Sequence, residues 1–213
     1  MYFNFMKHEL QNIISGKSQV KHGANIQASS SYIKNGKGAS SLAKKGIDFK
    51  KQEEILIGEF ATINSLWITD INIENFFSSG AEQLVYLKNE RKVLKLNDSI
   101  YYASWEDYFN NLLLNNYFFS DTAYELLGFY KNEKGLYAVV EQNFVIATEK
   151  TELINVKLFL ENSGFINKRN NDYFHPELGI ILEDLHDENV LTQDGTLKFI
   201  DTVFYITEQF YKL

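Results

Sequence analysis

Hydrophobic residues recur at helical spacing in four stretches of the chain. In residues 3–14 the apolar side chains fall on one side of a helix, and three later stretches repeat this pattern. Ser104 and Thr151, residue types that cap helix N-termini, each precede one of these stretches. The pattern predicts helices over residues 3–14, 51–64, 105–115 and 152–162.

Other parts of the chain carry short runs that are rich in β-branched and aromatic residues and end at turn-forming residues. Such runs are typical of β-strands, and two of them joined across residues 132–135 favour a hairpin. The predicted strands are residues 73–79, 83–87, 92–96, 124–130, 136–142, 190–192 and 197–200.

Residues 15–46 differ in composition from the rest of the chain, because glycine, serine, lysine and asparagine dominate there. This composition predicts a flexible linker between the first two helices. The segment from Gly36 to Ser40 resembles a Walker phosphate loop only superficially, since it lacks the spacer and the Lys-Ser/Thr pair.

The composition narrows the class of protein. The 213 residues are 45% hydrophobic, which predicts a sizeable core, and contain no cysteine, which excludes disulfides and thiolate metal sites. No apolar run approaches the roughly 18 residues of a membrane span, and the first residues lack the features of a signal peptide. We therefore expect a soluble, cytoplasmic protein.

The net charge of −7 is unevenly distributed. Residues 1–51 carry nine lysines against Glu9 and Asp48, a balance of +7, so the remainder has a balance of −14. The basic arm could bind nucleic acid, a partner or its own acidic body. The acidic body has no nucleic-acid-binding motif, which argues against nucleic acid as a partner.

One polar motif stands out in the last part of the chain. Asn189 follows Asp184 by five residues, and Asp201 ends the next hydrophobic run. Phosphoryl transfer requires a carboxylate that orients the attacking hydroxyl, and oxygen ligands that hold Mg²⁺ against the phosphates. These residue types at these intervals match the catalytic loop and the metal-binding aspartate of kinases.

The order of the predicted elements agrees with this motif. Over residues 73–203 the chain resembles the protein-kinase-like superfamily, and within it the compact Ser/Thr/Tyr kinase domain found in polyvalent proteins of phages and conjugative elements. The resemblance implies a two-lobed α+β fold with a minimal C-terminal lobe and a helical and flexible N-terminal extension. The implied boundaries are residues 1–65 for the extension, 66–142 for the N-lobe and 143–213 for the C-lobe.

The resemblance also implies roles for single residues. Asp184 would orient the acceptor hydroxyl, and Asn189 and Asp201 would hold Mg²⁺. Lys95 would bind the phosphates of ATP, although an alternating strand in which this lysine points to water fits the residues as well. Gly80 would form a reduced glycine loop, and a tight turn between strands explains it equally well.

Further residues complete the implied nucleotide site. Glu106 is the candidate that pairs with the strand lysine, and Glu82 is the second candidate. Glu141 and Gln142 fall where the hinge strand of a kinase presents backbone groups to adenine. His186 lies in the catalytic loop, where it would be able to touch a phosphate.

Two departures from the family pattern keep several functions open. Thr202 and Val203 replace the usual Phe-Gly pair, and only 12 residues follow Asp201, which leaves no room for an activation segment. Either the chain is a minimal phosphotransferase, or the basic arm or a partner chain completes the substrate site.

The acceptor would be a hydroxyl of a protein, favoured by the family resemblance, or of a small cationic molecule, favoured by the acidic body. The alternative function is a nucleotide-binding pseudokinase that serves as an interaction module. A third hypothesis, a structural domain without nucleotide, requires the whole set of residues to be accidental.

Overall fold

The computed structural model describes residues 2–39, 48–80 and 83–212. Helices and antiparallel sheets are combined in it, which confirms the α+β class. The helices of the described residues are α1 (Tyr2–Ile14), α2 (Ala24–Ala39), α3 (Phe49–Ile63), α4 (Trp105–Phe118) and α5 (Leu153–Asn162).

Eleven strands form three antiparallel sheets within the described residues. The first sheet has the order β1-β2-β3-β5-β4, the second pairs β10 with β9, and the third has the order β11-β8-β7-β6. The strands are β1 (Phe76–Ser79), β2 (Gln83–Asn89), β3 (Lys92–Asn97), β4 (Glu125–Asn132), β5 (Gly135–Asn143), β6 (Ile166–Arg169), β7 (Asp172–His175), β8 (Ile180–Glu183), β9 (Val190–Gln193), β10 (Thr196–Phe199) and β11 (Val203–Ile206).

The chain divides into two compact units. The five-stranded unit comprises Gln19–Phe109 and Tyr124–Phe144, and the four-stranded unit comprises Met1–Ser18, Asn110–Ala123 and Val145–Leu213. The division falls within α4 and directly after β5, so each unit is built from segments that are distant in the sequence.

The five-stranded unit is organised around its sheet. Cross-strand pairs such as Leu96 with Val139 bring apolar side chains onto one face, where they form a buried cluster. The cluster consists of Tyr86, Leu96, Tyr137 and Val139, against which Ile68, Ile71, Leu84, Leu94 and Tyr130 pack. The hydrophobic alternation of the strands therefore serves to build one core face.

Helix α2 occupies half of the segment 15–46 that the sequence predicted to be a linker, so that prediction was wrong for residues 24–39. Ile26 and Ile33 are fully buried, and a Cβ at Gly36 would lie only 2.6 Å from Leu56 Cδ2 of α3. Buried Ser29 donates its hydroxyl to Asn25 O within the helix. The small residues that resemble a linker are thus small because α2 packs closely on its neighbours. Residues 40–46 of the predicted linker lie outside the described residues.

Charged contacts also hold the N-terminal arm against its own chain. His22 Nδ1 lies 3.1 Å from Glu125 Oε1, and Gly23 N donates to Glu125 Oε2. Lys50 Nζ donates to Ser99 O and Tyr102 O at 2.5 and 3.0 Å. These contacts join the basic arm to other parts of the same chain.

The four-stranded unit collects α1, most of α4, α5 and the six strands from β6 to β11. Aromatic rings fill its core: Phe119 stacks on Phe199 with centroids 3.9 Å apart, and Phe118 stacks on Phe204 at 5.4 Å. Gln11 of α1 donates to Phe210 O in the last 3-10 turn. The same unit contains Asp184, Asn189 and Asp201.

The two predicted helix caps have different outcomes. Ser104 caps α4 as expected, because its Oγ accepts from Asp107 N at 3.0 Å and contacts Asp107 Oδ2 at 2.7 Å. Thr151 does not cap α5, which starts at Leu153. Its hydroxyl instead forms a buried hydrogen bond with Thr192 Oγ1 at 2.9 Å, so a tertiary partner replaces the local one.

Candidate functional site

The loop between β8 and β9 brings Asp184 and Asn189 into direct contact. Asn189 Nδ2 donates to both the backbone oxygen and the carboxylate Oδ2 of Asp184, at 3.0 and 2.8 Å. Leu185, which follows Asp184 in the loop, is buried and anchors the loop. The two residues that the sequence assigned to catalysis and metal binding therefore form one hydrogen-bonded pair.

Asp184 has an unusual backbone conformation. Its φ of +65° lies in the left-handed region, which aspartate and asparagine visit more readily than other residues with a Cβ. The side chain is 54% exposed, so solvent reaches the carboxylate. Residues with a Cβ adopt this conformation at a cost, which surrounding contacts must offset. Such residues occur often at functional sites.

His186 contacts the Asp184 carboxylate, and its predicted contact with phosphate stays a prediction. Its Nε2 lies 3.3 Å from Asp184 Oδ1, and its Nδ1 accepts from Glu188 N at 3.3 Å. Because Nδ1 acts as an acceptor, we assign the proton of the neutral ring to Nε2, where it faces the carboxylate. His186 therefore helps to orient Asp184.

Asp201 lies in the short connection between β10 and β11, where it is half-buried. The preceding residue is tied to the loop, because Ile200 N donates to Asn189 O at 2.9 Å. β11 in turn pairs with β8, with Val203 opposite Glu183. Both sides of Asp201 are thus fixed to the segments that carry Asp184 and Asn189.

Side chains from α4 and the following turn hold the connection around Asp201, and we did not predict this from the sequence. Asn111 Oδ1 accepts from Phe204 N at 2.8 Å, and Thr122 Oγ1 donates to Phe199 O at 2.6 Å. Asn115, which is fully buried, has its Oδ1 3.5 Å from Thr202 Oγ1. The available signal was an apolar helix with asparagines at positions 110, 111, 115 and 116.

Glu183 stands next to Asp184 and marks an acidic environment. Burial raises its pKa, and the negative charges of Asp172 and Asp184 raise the pKa further. Burial is the larger cause, and the carboxylates of Asp172 and Asp184 add negative charge around Glu183.

Lys95, predicted to bind phosphate, lies in β3 between Val85 of β2 and Val140 of β5. The side chain is only 4% exposed, so the alternative in which it points to water was wrong. Its Nζ lies 5.5 Å from the centre of the Tyr124 ring. Burial of an ammonium group is costly, which makes this lysine a strong candidate for a function that needs its charge.

Gly80 closes the connection from β1 to β2, since its N donates to Gln83 O at 2.9 Å. Among the described residues, a Cβ at this position would touch only Gln83 Cγ, at 3.9 Å, so neither space nor conformation requires glycine here. Residues 81 and 82 lie outside the described residues, and with them Glu82, the second candidate partner of Lys95.

Glu106 forms ion pairs with lysines of α2, whereas the sequence predicted a pair with Lys95. Its carboxylate oxygens lie 2.8 Å from Lys37 Nζ and 3.5 Å from Lys34 Nζ. Glu53 of α3 completes this cluster: Oε1 lies 2.6 Å from Lys37 Nζ and Oε2 accepts from Trp105 N at the start of α4. The prediction failed because it placed the lysines of α2 in a solvated linker.

Burial and ion pairing shift the pKa values of the charged groups in this cluster. Burial lowers the pKa of Lys34 despite the nearby Glu106, and burial raises the pKa of Glu53 despite its contacts with Lys37 and Trp105 N. Burial also acts to lower the pKa of Lys37, but the contacts with Glu106 and Glu53 outweigh it and raise the pKa.

Glu141 and Gln142, the predicted hinge residues, lie at the end of β5. Glu141 pairs with Leu94 on one side and Glu125 on the other, so its backbone lies inside the sheet. Its side chain lies near Lys88 and Lys92, and these lysines outweigh the effect of burial and lower the pKa of Glu141. Gln142 has a register partner on β3 only, because β4 begins opposite Glu141.

Comparison with family models identifies the family. The model of the serine/threonine/tyrosine kinase found in polyvalent proteins matches residues 50–208. The chain belongs to this family. The match runs from the start of α3 to the last 3-10 turn, and it confirms the resemblance seen in the sequence. No curated protein and no solved structure matches the chain.

The residues of this kinase-family domain fit Mg²⁺ as the family implies. Asn189 donates through Nδ2, which leaves its Oδ1 available as a ligand, and the bond from Ile200 N to Asn189 O ties the residue before Asp201 to the same loop. Mg²⁺ is usually held by one or two carboxylates together with phosphate oxygens and water. Within the described ranges, no group of three or more His, Cys, Asp or Glu would hold a metal alone, so nucleotide oxygens would complete the site.

The kinase-family domain has no transmembrane helix in the part of the chain that the structure describes, because none of those helices is both long enough and apolar enough to cross a bilayer.

Proposed function

We propose that this domain is an Mg²⁺-dependent phosphotransferase that moves the γ-phosphoryl group of ATP to a hydroxyl. The observation that carries the proposal is the double hydrogen bond from Asn189 to Asp184, together with the bond from Ile200 N to Asn189 O. This arrangement supports a pre-organised carboxylate beside the ligands of a metal ion, which phosphoryl transfer requires.

In the proposed reaction, the acceptor oxygen forms a bond to the γ-phosphorus while the bond to the β–γ bridging oxygen breaks, and ADP leaves. The hydroxyl proton passes to the Asp184 carboxylate, which His186 and Asn189 hold in orientation. Mg²⁺, when bound by Asn189 and Asp201, would neutralise charge on the phosphate oxygens.

We propose that the five-stranded unit acts as the nucleotide-binding lobe and the four-stranded unit as a reduced C-lobe. The burial of Lys95 supports its assignment to the phosphates of ATP. The backbone of Gln142, near the end of β5, would contact adenine. Gly80 would lie in the loop that covers the phosphates.

For the acceptor we favour a serine, threonine or tyrosine hydroxyl of a protein, because the matching family is described as a serine/threonine/tyrosine kinase. The acidic surroundings of Glu183 and Asp184 favour a substrate with basic groups, whether a peptide or a small cationic molecule. The basic arm or a partner chain would complete the acceptor site. Labelled phosphate transfer to basic peptides, compared with transfer to small aminated alcohols, separates these acceptors.

A pseudokinase that binds nucleotide and serves as an interaction module is the second candidate. The specific observation in its favour is that Glu106 pairs with Lys37 and Lys34. In active kinases a glutamate of this helix pairs with the strand lysine that binds the phosphates.

The experiment that tests the phosphotransferase proposal compares Asp184→Asn with Asp187→Asn, an exposed acid of the same loop. We expect Asp184→Asn to lower labelled transfer by at least about a hundredfold, because it loses the carboxylate that accepts the proton, while ATP binding persists. Asp187→Asn should retain transfer. Equal transfer by the two variants would contradict the assigned role, and ATP binding without transfer in the wild type would favour the pseudokinase.

A further inference from the structure

Helix α4 carries buried asparagines that the proposed catalysis does not use. Asn111 is 4% exposed and Asn115 is fully buried, although both lie on a helix whose other buried residues are largely aromatic or aliphatic. A buried amide is costly unless its polar atoms are hydrogen-bonded. The partners of these amides therefore indicate why the positions are polar.

The amides bind the connection that contains Asp201. β11 is an edge strand, so one side of its backbone lacks a neighbouring strand. Asn111 Oδ1 accepts the Phe204 N–H at 2.8 Å in a fully buried environment. Asn115 Oδ1 lies near the Thr202 hydroxyl at 3.5 Å, on the residue directly after Asp201. α4 thus takes the place of the absent strand for the residues that follow Asp201.

The other end of the connection is fixed by different groups. Thr122 Oγ1 donates to Phe199 O, and Ile200 N donates to Asn189 O. Asp201 therefore lies between two anchored backbone segments, each within three residues of it. Without the Asn111 bond, the downstream anchor would rest on the pairing of β11 with β8 and on the longer contact between Asn115 and Thr202.

We infer that Asn111 is a positioning residue for Asp201: it holds the backbone after Asp201 so that the carboxylate is set for Mg²⁺. The inference rests on the proposed function, because it assigns Asp201 to the metal. Residues that orient a metal ligand typically change metal affinity by about 10- to 100-fold when they are replaced.

The test uses three variants of the full chain. Asn111→Leu keeps the branched shape of the side chain and removes the acceptor of the Phe204 N–H. Asn111→Asp keeps both the volume and an acceptor oxygen. Asn110→Leu is the control, since Asn110 is equally buried on the same helix and its Oδ1 has no partner in the described residues.

Calorimetric titration with ATP, in Mg²⁺ and in EDTA, measures how much the metal adds to nucleotide affinity. We expect Asn111→Leu to lose about tenfold or more of the Mg²⁺-dependent gain while affinity in EDTA is unchanged. Asn111→Asp and Asn110→Leu should keep the gain. A gain in Asn111→Leu equal to that of the wild type would overturn the positioning role, even if the variant is less stable.

Hydrogen exchange of the wild type gives a second measurement that does not depend on the folding of a variant. Addition of Mg²⁺ to the ATP-bound protein should slow exchange of the Phe204 amide by about tenfold relative to the Tyr173 amide of β7. Equal slowing at both amides would overturn the inference. A wild type that shows no Mg²⁺-dependent gain in affinity would instead refute the proposed function, and the positioning role would fall with it.

Discussion

Replacement of Lys37 by methionine tests the buried charge cluster at the start of α4. Lys37 Nζ lies 2.6 Å from Glu53 Oε1, and its better-directed hydrogen bond goes to Glu106 Oε2 at 2.8 Å. Methionine keeps most of the apolar stem and removes the charge. The fully buried Glu53 carboxylate would then keep only its bond from Trp105 N.

The expected cost follows from these contacts. Removal of one partner of a fully buried ion pair costs about 3–5 kcal/mol. The Lys37 side chain is 20% exposed and Glu53 keeps one hydrogen bond, so we expect a loss of about 2–3 kcal/mol in the free energy of unfolding. For a chain of this size the loss corresponds to a decrease of roughly 4–12 °C in Tm.

The loss should also depend on pH. Burial raises the pKa of Glu53 above its ordinary value of 4.5, so the folded state binds this proton more tightly than the unfolded state. Stability from this group is present below pH 4.5 and is lost as the pH rises through the folded pKa. Removal of Lys37 raises that pKa further, so the variant should lose more stability at pH 8 than at pH 5.

Urea unfolding of the wild type, Lys37→Met and Lys34→Met measures these effects. Lys34 is the matched control, because it lies one turn earlier on α2 and reaches only Glu106, at 3.5 Å, within the cluster. We expect its replacement to change stability by less than about 1 kcal/mol. Equal losses in the two variants, or a Lys37→Met loss that does not change with pH, would refute a Glu53–Lys37 pair as the source of the stabilisation.

Two further predictions concern the four-stranded unit. Burial lowers the pKa of His175, so the free energy of unfolding should fall as the pH drops below about 6.5. Urea midpoints of His175→Met between pH 5 and 8 should lose this pH dependence. An unchanged pH profile in the variant would contradict the prediction. Gly179 and Gly195 share a φ of +71°, but a Cβ at Gly179 would lie 2.4 Å from Phe210 N, whereas nothing lies within 4 Å at Gly195. Thermal unfolding should therefore show a loss of about 1–2 kcal/mol for Gly195→Ala and a clearly larger loss for Gly179→Ala; similar losses would mean that backbone conformation alone decides the cost.

Hydrophobic periodicity predicted the helices and strands whose own residues carry the pattern. α1, α3 and α4 were found in this way, as were most strands of the five-stranded sheet. α2 was missed because Gly36 packs closely on Leu56 of α3 and Ser29 and Ser30 are buried, whereas a composition rule interprets small polar residues as a linker. The Thr151 cap failed for a related reason, since a distant threonine supplies its partner.

In the candidate site, too, local contacts could be predicted from the sequence and distant contacts could not. The spacing of Asp184 and Asn189 was readable because the two residues belong to one short loop, and their contact is local. The partners of Glu106 lie on the helix that was missed, so its ion pairs were not predictable. Asn111 binds a backbone group 93 positions away, and a single sequence carries no signal for such a bond.

Thermal unfolding with ATP, in Mg²⁺ and in EDTA, tests the central claim most directly when the wild type is compared with Asp201→Asn. Ligand at about a hundred times its dissociation constant adds about 2.7 kcal/mol, which corresponds to roughly 5–11 °C in Tm for a chain of this size. We predict that the wild type gains this increase only when Mg²⁺ is present and that Asp201→Asn loses it. A folded wild type without a Mg²⁺-dependent increase, or an equal increase in the variant, would contradict a nucleotide and metal site built on Asp201.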